Sequence, residues 1–403
     1  MLAADPHRIL RAKGRHIEII TPAETHQFAG DPFVALQAEL AQSHGTAIGY
    51  FGYDLKNFVE HLPTRAVDDL GLPDLWFGFY TAPVFFEHGT SRAPAQTDPP
   101  AETATRLTAN FSRDSYRHAV QRAKDYITAG DIYQVNLSQR FQCTVDAPAP
   151  EVYLALRAAN PAPYCAYLDI GDAQILSSSP ECFLKLEGRQ VVTRPIKGTR
   201  ARGAVVERAT RLFTGTRKTG ETPVPATDDR LVQELLSSPK DNAELLMIVD
   251  LERNDLGRVC EFGSVHVPEL VCAESFTTVH HLVATVAGTL RPAISHVDCV
   301  RACFPGGSIT GAPKIRAMEI IDELEPQARG IYTGAIGFFD PARDRSHFNI
   351  AIRTAVYQPG GRLTFQAGGG IVADSDPAAE YDETLAKAQG IFNALNQLRL
   401  RQR

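Results

Sequence analysis

The chain has 403 residues, 44% of them hydrophobic, and a formal net charge of −6 at pH 7. That length is sufficient for one large core or two domains. The charges are spread along the chain with no basic stripe and no polybasic segment, which argues against binding to nucleic acid or to a membrane surface. We also find no apolar run of transmembrane length and no signal peptide pattern. The seven cysteines lack metal-ligand spacing and are typical of reduced thiols, which predicts a cytoplasmic protein.

The first part of the chain predicts short strands and turns. Aromatic residues cluster in Gly49–Asp54 and in Trp76–Tyr80. Residues 91–105 have the proline-rich, polar composition of a linker. We expect residues 1–105 to complete the fold of residues 106–403 rather than to fold alone.

A helix and a strand follow the linker. Apolar residues at helical spacing predict a helix that begins at Ser112 and ends at Gly130. From Ile132 to Phe141 the residues alternate as in a strand, which places Gln134 on its polar face.

The rest of the chain predicts further strands and three helices. Strands are expected at residues 173–199, a flexible surface loop at 204–229, and a helix from Asp241 to Leu251. Thr310 is the expected cap of the next helix, which ends near residue 324. Three strands between residues 331 and 367 place Tyr332 at the start of one and Arg353 within another, and a last helix covers about 377–398.

Two pairs of acidic residues lie on the predicted helices. Asp241 and Glu244 are three residues apart, as are Glu380 and Glu383, so each pair projects from one helix face. Taken alone, such pairs are usually solvated surface. If the two pairs face each other, their carboxylates suit a hard divalent cation such as Mg²⁺.

Several segments could bind an anion. Arg353 can bind a carboxylate through two hydrogen bonds. Gly368-Gly-Gly370 can present backbone N–H groups to an anion. A triple glycine is more often only a turn, however, and a strand arginine is more often a surface residue or part of an ion pair.

Lys197 lies where a strand runs into a glycine turn, and it occurs together with six further segments in a fixed order. These segments are Asp131–Ser138, Ser178–Cys182, Leu251–Gly257, Ser308–Lys314 with Gln366–Val372, and Glu380–Thr384. In this combination the chain resembles the chorismate-utilising enzymes, the family of anthranilate synthase large subunits. The match covers about residues 108–398. It implies an α+β fold in which two mainly antiparallel sheets pack together, flanked by helices, with the active site in a cleft between them.

The resemblance also implies roles for individual residues. Glu244 and Glu383 match the family's Mg²⁺ ligands, and Asp241 and Glu380 match its water-mediated positions. Glu181 matches the acid that protonates the departing 4-hydroxyl. His281 matches a histidine near the ring, although a buried structural histidine is at least as common. The implied substrate-binding residues are Gln134, Thr199, Thr310, Gly311, Tyr332, Arg353, Gly368, Gly369, Gly370 and Lys387.

Two positions distinguish the branches of the family. Gln134 replaces the lysine that activates water in the isochorismate- and salicylate-forming branches, and glutamine cannot act as a base. Lys197 stands where anthranilate synthases usually carry alanine, and it is typical of the branch that aminates chorismate at C4 through a covalent lysine intermediate. Arg194 or Arg200 could help to lower the pKa of this lysine.

The implied reaction converts chorismate and ammonia to 4-amino-4-deoxychorismate, a precursor of 4-aminobenzoate and folate. We see no glutaminase motif, so the ammonia is expected from a separate glutamine amidotransferase subunit. Anthranilate synthesis is the nearest alternative, and a homologue that binds chorismate without turnover is a second. The segment that forms a tryptophan pocket in relatives is expected to be shortened.

Overall fold

Two antiparallel β-sheets and the helices around them make up the fold in the computed structural model, which describes residues 1–43, 45–84, 107–201, 225–275 and 279–401. The strands within these ranges are β1 Arg8–Lys13, β2 His16–Ile20, β3 Thr25–Ala29, β4 Thr46–Phe51, β5 Leu75–Tyr80, β6 Thr108–Ala109, β7 Gln134–Thr144, β8 Tyr164–Asp169, β9 Gln174–Ser179, β10 Cys182–Glu187, β11 Gln190–Arg194, β12 Ile196–Ala201, β13 His266–Ser275, β14 Val279–Thr289, β15 Gly311–Ala312, β16 Ala335–Asp340, β17 Arg345–Ile350, β18 Thr354–Gln358 and β19 Arg362–Ile371. The helices are α1 Pro32–Gln42, α2 Arg113–Thr128, α3 Ala149–Ala159, α4 Pro225–Leu236, α5 Pro239–Gly257, α6 His296–Cys303, α7 Lys314–Leu324 and α8 Pro377–Arg401.

The larger sheet combines strands from the first 84 residues with strands from residues 182–350. Its order is β12-β14-β11-β10-β17-β16-β4-β5-β1-β2-β3, and β13 pairs with β14. Strand β4 pairs with β16, so that Tyr50 lies opposite Ile336. Five strands from the first 84 residues therefore lie in the same sheet as β10–β14, β16 and β17.

The smaller sheet has the order β15-β7-β19-β18-β9-β8, and β6 pairs with β7. Strand β7 is its long central member and runs antiparallel to β19 over ten residue pairs, from Arg362↔Thr144 to Ile371↔Val135. Both sheets are antiparallel and flanked by helices, which confirms the fold class expected from the sequence.

One apolar core fills the space between the sheets. It contains Phe51 and Phe348 of the larger sheet together with Leu137 and Ile371 of the smaller one. A second core lies on the outer face of the smaller sheet, where Leu156 of α3 and Leu395 of α8 pack with Leu363 of β19. Helix α5 packs against β14 and β12 of the larger sheet.

The chain crosses between the sheets at two places that matter for the site. Strand β9 of the smaller sheet leads through Pro180 and Glu181 into β10 of the larger sheet, and β17 of the larger sheet leads through Arg353 into β18 of the smaller one. The crossings lie side by side, because Ile350 N–H donates to Glu181 O at 3.1 Å and Ser178 N–H donates to Arg353 O at 3.0 Å.

Several elements differ from the sequence predictions. Four strands, not three, cover residues 335–371, because the backbone turns at Arg353 with φ +48° and leaves one sheet for the other. Tyr332 precedes its strand instead of starting it. Thr310 does not cap α7; its hydroxyl donates to Gly306 O at 3.0 Å, and Gly311–Ala312 form β15 in between.

Other predictions fall partly outside the described residues. The proposed linker at 91–105 and residues 204–224 of the proposed loop lie outside the described residues. The rest of that loop, residues 225–229, belongs to helix α4. Helix α1 in the first part of the chain was not predicted. No disulfide joins the seven cysteines. No helix in the described ranges is both long and apolar enough to cross a membrane.

Candidate active site

Lys197 lies on β12, opposite Leu282 of β14, and the pairing shifts register between Lys197 and Thr199. Gly198 makes this irregularity feasible, because it has φ +65° and because a Cβ there would lie 2.9 Å from Leu235. The lysine side chain is 12% exposed, and its Nζ is 3.9 Å from Glu244 Oε2. The amine therefore lies in a largely buried site, close to the carboxylate of Glu244.

Burial lowers the pKa of Lys197; the negative charge of Glu244 opposes that effect and the positive charge of Lys387 adds to it. The two arginines considered from the sequence do not supply that field, since each is held by a carboxylate. Arg194 is paired with Glu274 at 2.5 Å, and Arg200 with Asp241 at 2.9 Å. Burial is the main reason why this amine is more easily deprotonated than an ordinary lysine.

Glu181 sits at the first crossing between the sheets and is 4% exposed. Ser308 Oγ donates to its Oε1 at 2.6 Å. Burial raises the pKa of Glu181 to about 7, while the hydrogen bond from Ser308 and the charge of Lys197 act in the opposite direction. A carboxyl group in this range can hold a proton near neutral pH and release it to a leaving group.

His281 is buried next to Lys197 on the neighbouring strand. It pairs with Thr199 across β12 and β14, and its Nδ1 is 3.4 Å from Gly198 O. Burial, aided by the charge of Arg353, lowers the pKa of His281 to about 4. The imidazole is therefore neutral at physiological pH, and it borders the site without carrying charge.

The smaller sheet supplies the opposite wall. Gln134 at the start of β7 is fully buried, and neither of its side-chain amide atoms has a hydrogen-bond partner among the described residues. A Cβ on Gly370 would lie 2.8 Å from Gln134 Nε2 and 3.5 Å from Lys197 Nζ. Gln134, Gly370 and Lys197 thus converge, and the unsatisfied amide is available to a bound molecule.

The three glycines lie on an edge of β19 that faces the site. Strand β18 pairs with β19 only as far as Phe365, so beyond it the backbone of Gly368–Gly370 has β7 as its only strand partner in the described part of the chain. A Cβ on Gly369 would lie 3.1 Å from Glu380 Oε2. Glycine is needed here because the carboxylates of α8 come so close to the strand.

Arg353 at the second crossing is a half-buried cation without a carboxylate partner in the described residues, and desolvation lowers its pKa. Tyr332 is 8% exposed, and its ring lies 5.6 Å from the guanidinium carbon of Arg329. An uncompensated, desolvated guanidinium is costly. Arg353 is therefore the group best suited to bind an anion from outside the chain.

Lysines lie near both acidic pairs: Lys240 lies beside Glu244, and its charge also acts on Glu380 and Glu383. Glu244 has Lys197 at 3.9 Å and Lys240 at 4.0 Å, and Lys387 Nζ contacts Glu383 at 2.6 Å and Gly368 O at 3.0 Å. Burial opposes the ionisation of Glu383, but the pairing with Lys387 outweighs it and holds the pKa of Glu383 below its usual value. Burial raises the pKa of Glu380, whose Oε1 accepts a 2.6 Å hydrogen bond from Ser375.

The acidic side chains are of the type that a divalent cation binds when other ligands complete its shell. Among the described residues, no three His, Cys, Asp or Glu side chains gather closely enough to bind a metal by themselves. Mg²⁺ commonly takes only one or two protein carboxylates and completes its shell with water and substrate oxygens. Glu244 and Glu383 offer two such carboxylates, and the charge of each raises the pKa of Lys197.

Two of the remaining predicted residues, Thr310 and Gly311, have clear structural reasons for their positions. Thr310 is fully buried and holds its own turn. Gly311 lets β15 approach β7, because a Cβ there would lie 2.2 Å from Gln134 O. The side chain of Thr199 lies outside the described part of the structure.

Sequence reasoning missed three residues of this region. Ser308 contacts Glu181, Lys240 lies beside Glu244, and Ser375 contacts Glu380. Each lies in or next to a recognised segment, but a hydroxyl or lysine in such a segment has no spacing pattern that would reveal its partner.

Comparison with known proteins identifies the class of protein to which this fold belongs. The chain belongs to the chorismate-binding enzyme family, whose model matches residues 4–393. It is 40% identical over 425 residues to aminodeoxychorismate synthase component 1 of Klebsiella aerogenes, covering 98% of this chain and 90% of that one. It is 41% identical over 386 residues to anthranilate synthase component 1 of Thermus thermophilus, covering 89% and 79%. The solved structure of anthranilate synthase component I from Streptococcus pneumoniae is similar with a TM-score of 0.78 and 30% identity, over 97% of this chain and 91% of that one.

Proposed function

We propose that the chain is the aminating component of an aminodeoxychorismate synthase, which converts chorismate and ammonia to 4-amino-4-deoxychorismate and water. The observation that carries this proposal is the buried amine of Lys197, which faces Gln134 across Gly370. In this chain the nucleophilic group lies on the larger sheet, and the position of the water-activating base on the smaller sheet holds an amide.

The proposed first half-reaction uses Lys197 and Glu181 together. The lone pair of neutral Lys197 Nζ forms a bond to C2 of chorismate, the ring double bonds shift, and the C4–O bond breaks. Glu181 gives its proton to the departing oxygen, which leaves as water. The lysine nitrogen, now a cation, returns one proton to the Glu181 carboxylate.

Ammonia takes part in the second half-reaction. Its lone pair forms the new bond to C4, the double bonds shift back, and the C2–N bond to Lys197 breaks. The proton released by the new ammonium group balances the one that the lysine takes up on leaving. Both enzyme groups then return to their starting protonation states.

The substrate's two carboxylates account for the other charged groups. Arg353 and the backbone edge at Gly368–Gly370 would bind the pyruvyl carboxylate, with Tyr332 and Lys387 beside them. Glu244 and Glu383 would hold Mg²⁺, with Asp241 and Glu380 acting through water, and the ion would neutralise the ring carboxylate. This arrangement fixes the ring between Lys197 and Glu181.

Anthranilate synthesis is the second candidate, because relatives with that name are as similar to this chain as those named aminodeoxychorismate synthase. Lys197 favours amination at C4, since an amine beside C2 would obstruct direct attack by ammonia there. The "component 1" in the relatives' names supports a partner subunit. We propose a glutamine amidotransferase that supplies ammonia, and a cytoplasmic location.

Product analysis tests the proposal. The purified chain is incubated with chorismate, Mg²⁺ and ammonium at alkaline pH, and the products are separated by chromatography. A product that aminodeoxychorismate lyase converts to 4-aminobenzoate supports it. Fluorescent anthranilate would contradict it and establish the C2-aminating alternative. Unchanged chorismate would favour a homologue that binds without turnover.

Lys197→Ala should abolish formation of the C4 amine, because the other lysines described near the site, Lys387 and Lys240, are paired with Glu383 and Glu244. Mass spectrometry checks the same step without ammonia. The unmodified chain should gain the mass of chorismate less one water, and the variant should not. Lys185→Ala, which changes a 51% exposed lysine of β10, is the matched control and should keep both properties. Full activity of Lys197→Ala would rule out the covalent route.

A further inference from the structure

We propose that Ser308 is a positioning residue for Glu181: its hydroxyl fixes one carboxyl oxygen so that the other delivers the proton to the leaving group. The proposal deepens the proposed function, since it rests on Glu181 as the acid. Its basis is the 2.6 Å hydrogen bond from Ser308 Oγ to Glu181 Oε1, between residues that are 5% and 4% exposed.

The backbone of Glu181 is held independently of this contact. Its N–H donates to Ser179 Oγ at 3.2 Å, its carbonyl accepts from Ile350 N–H at 3.1 Å, and Ser179 Oγ donates to Ile350 O at 2.6 Å. These bonds fix the main chain at the crossing but leave the side-chain torsions free. A side-chain contact is therefore needed to orient the carboxyl group.

Ser308 is itself on a rigid support. It lies in a single turn of 3₁₀ helix, Gly307–Ile309, that Thr310 closes by donating to Gly306 O at 3.0 Å. A Cβ on Gly306 would lie 2.8 Å from Ile350 Cδ1, and one on Gly307 would lie 3.2 Å from Leu251 Cβ. The turn is thus packed between β17 and α5, and the hydroxyl is held at a defined place before substrate binds.

The chemical consequence concerns the moment when Glu181 loses its proton. The carboxylate that forms is buried, and a hydroxyl donor already in place stabilises it without reorganisation. The charged groups that act on this carboxylate are Lys197 and Lys387, which favour ionisation. Glu252 on α5 lies near enough for the charge of Glu181 to raise the pKa of Glu252. Two neutral donors also act on the Glu181 carboxylate, the backbone N–H of Ile196 and the hydroxyl of Ser308. The hydroxyl is the side-chain donor, and it contacts Oε1.

Ser308→Ala should lower kcat by about ten- to a hundredfold, with KM for chorismate nearly unchanged. It should also move the alkaline limb of the pH–rate profile to higher pH, because the ionised carboxylate loses a donor. A purely structural serine would produce no such shift. Ser346→Ala is the matched control: Ser346 is 2% exposed and contacts His296 at 2.8 Å, far from Glu181 in the sequence and outside the site.

The double variant with Glu181→Gln separates this inference from the proposed function. If Ser308 acts through Glu181, adding Ser308→Ala to Glu181→Gln causes no further loss of kcat. An active Glu181→Gln would contradict the acid role itself. An inactive Glu181→Gln combined with a fully active Ser308→Ala, with an unchanged pH profile, would overturn only the inference about Ser308.

Discussion

Glu181 must hold a proton near neutral pH, where an exposed glutamate has lost it. Its position at a crossing between two sheets accomplishes this, since the crossing is buried on both sides. Burial moves the pKa of Glu181 to about 7, and the lysines nearby keep it from rising further. Burial and opposite charge also act on Lys197. Burial lowers the pKa of this amine, and the carboxylates nearby raise it.

The pH dependence of the reaction should report this carboxyl group. With the rate expressed per concentration of free ammonia, kcat/KM for chorismate should fall above about pH 7, as Glu181 ionises. Initial rates across a pH series measure it. Glu181→Gln should have little activity and no such limb. A limb that persists unchanged in the residual activity of that variant would assign it to another group.

At the scale of elements, β19 has two separate requirements for glycine. A Cβ on Gly368 would lie 2.5 Å from Leu137 O of the paired strand, whereas one on Gly370 would meet side-chain atoms of Gln134 and Lys197. The first clash is with backbone that cannot move without breaking the ladder. The second is with groups of the site.

Substitution should therefore separate stability from activity along one strand. Gly368→Ala should lower the free energy of unfolding by about 1–3 kcal/mol, the usual cost of overpacking. Gly370→Ala should leave it nearly unchanged but reduce kcat/KM at least about tenfold, since it displaces groups that bind and react. Denaturant unfolding and steady-state kinetics measure the two effects. Equal losses of stability in both variants would contradict the distinction.

Elements were predicted well where a pattern was long. The helix at Arg113–Thr128 begins directly after Ser112, where its start was expected, and the Ser112 side chain caps it by accepting from Ser115 N–H. The prediction of a single strand through Arg353 was wrong, because both halves are apolar and alternate, and only their pairing with different sheets reveals the break. Helix α1 was missed because it is short and lies among aromatic strands.

At the scale of the molecule, residues far apart in sequence share one core and one set of buried charges. Arg329 and Glu325 form a 2.7 Å ion pair that is almost fully buried, and Tyr53 of the first part of the chain lies 4.9 Å from that guanidinium. Glu252 is buried with a hydrogen bond from Thr193 Oγ1 at 3.0 Å. Burial raises the pKa of Glu252 well above its ordinary value, and the charge of Glu181 adds to this.

This raised pKa makes global stability depend on pH. The unfolded chain ionises Glu252 near its ordinary value of 4.5, but the folded chain does not, so stability is lost as pH rises above that value. Glu252→Gln keeps a hydrogen-bond acceptor for Thr193 without a titrating proton. It should therefore melt above the unmodified chain at pH 8, and the difference should shrink towards pH 5.

Thermal melting at the two pH values measures the effect. Glu187→Gln is the matched control, since that side chain is 65% exposed on β10, and it should follow the unmodified chain. A difference for Glu252→Gln that is the same at both pH values would mean that Glu252 is already ionised in the folded state.

The sequence by itself determined the family and the two-sheet class of fold, and it supplied the candidates for the reactive side chains. Ordered motifs such as Arg194–Thr199 carry that information locally, and helical spacing was enough to put Glu380 and Glu383 on one face of α8. The tertiary structure decided what those groups experience. The burial of Glu181, the contact from Ser308 and the lack of a carboxylate partner for Arg353 among the described residues all arise where the chain crosses between the sheets. These contacts join residues more than a hundred positions apart, such as Ser308 and Glu181, and no local pattern encodes them.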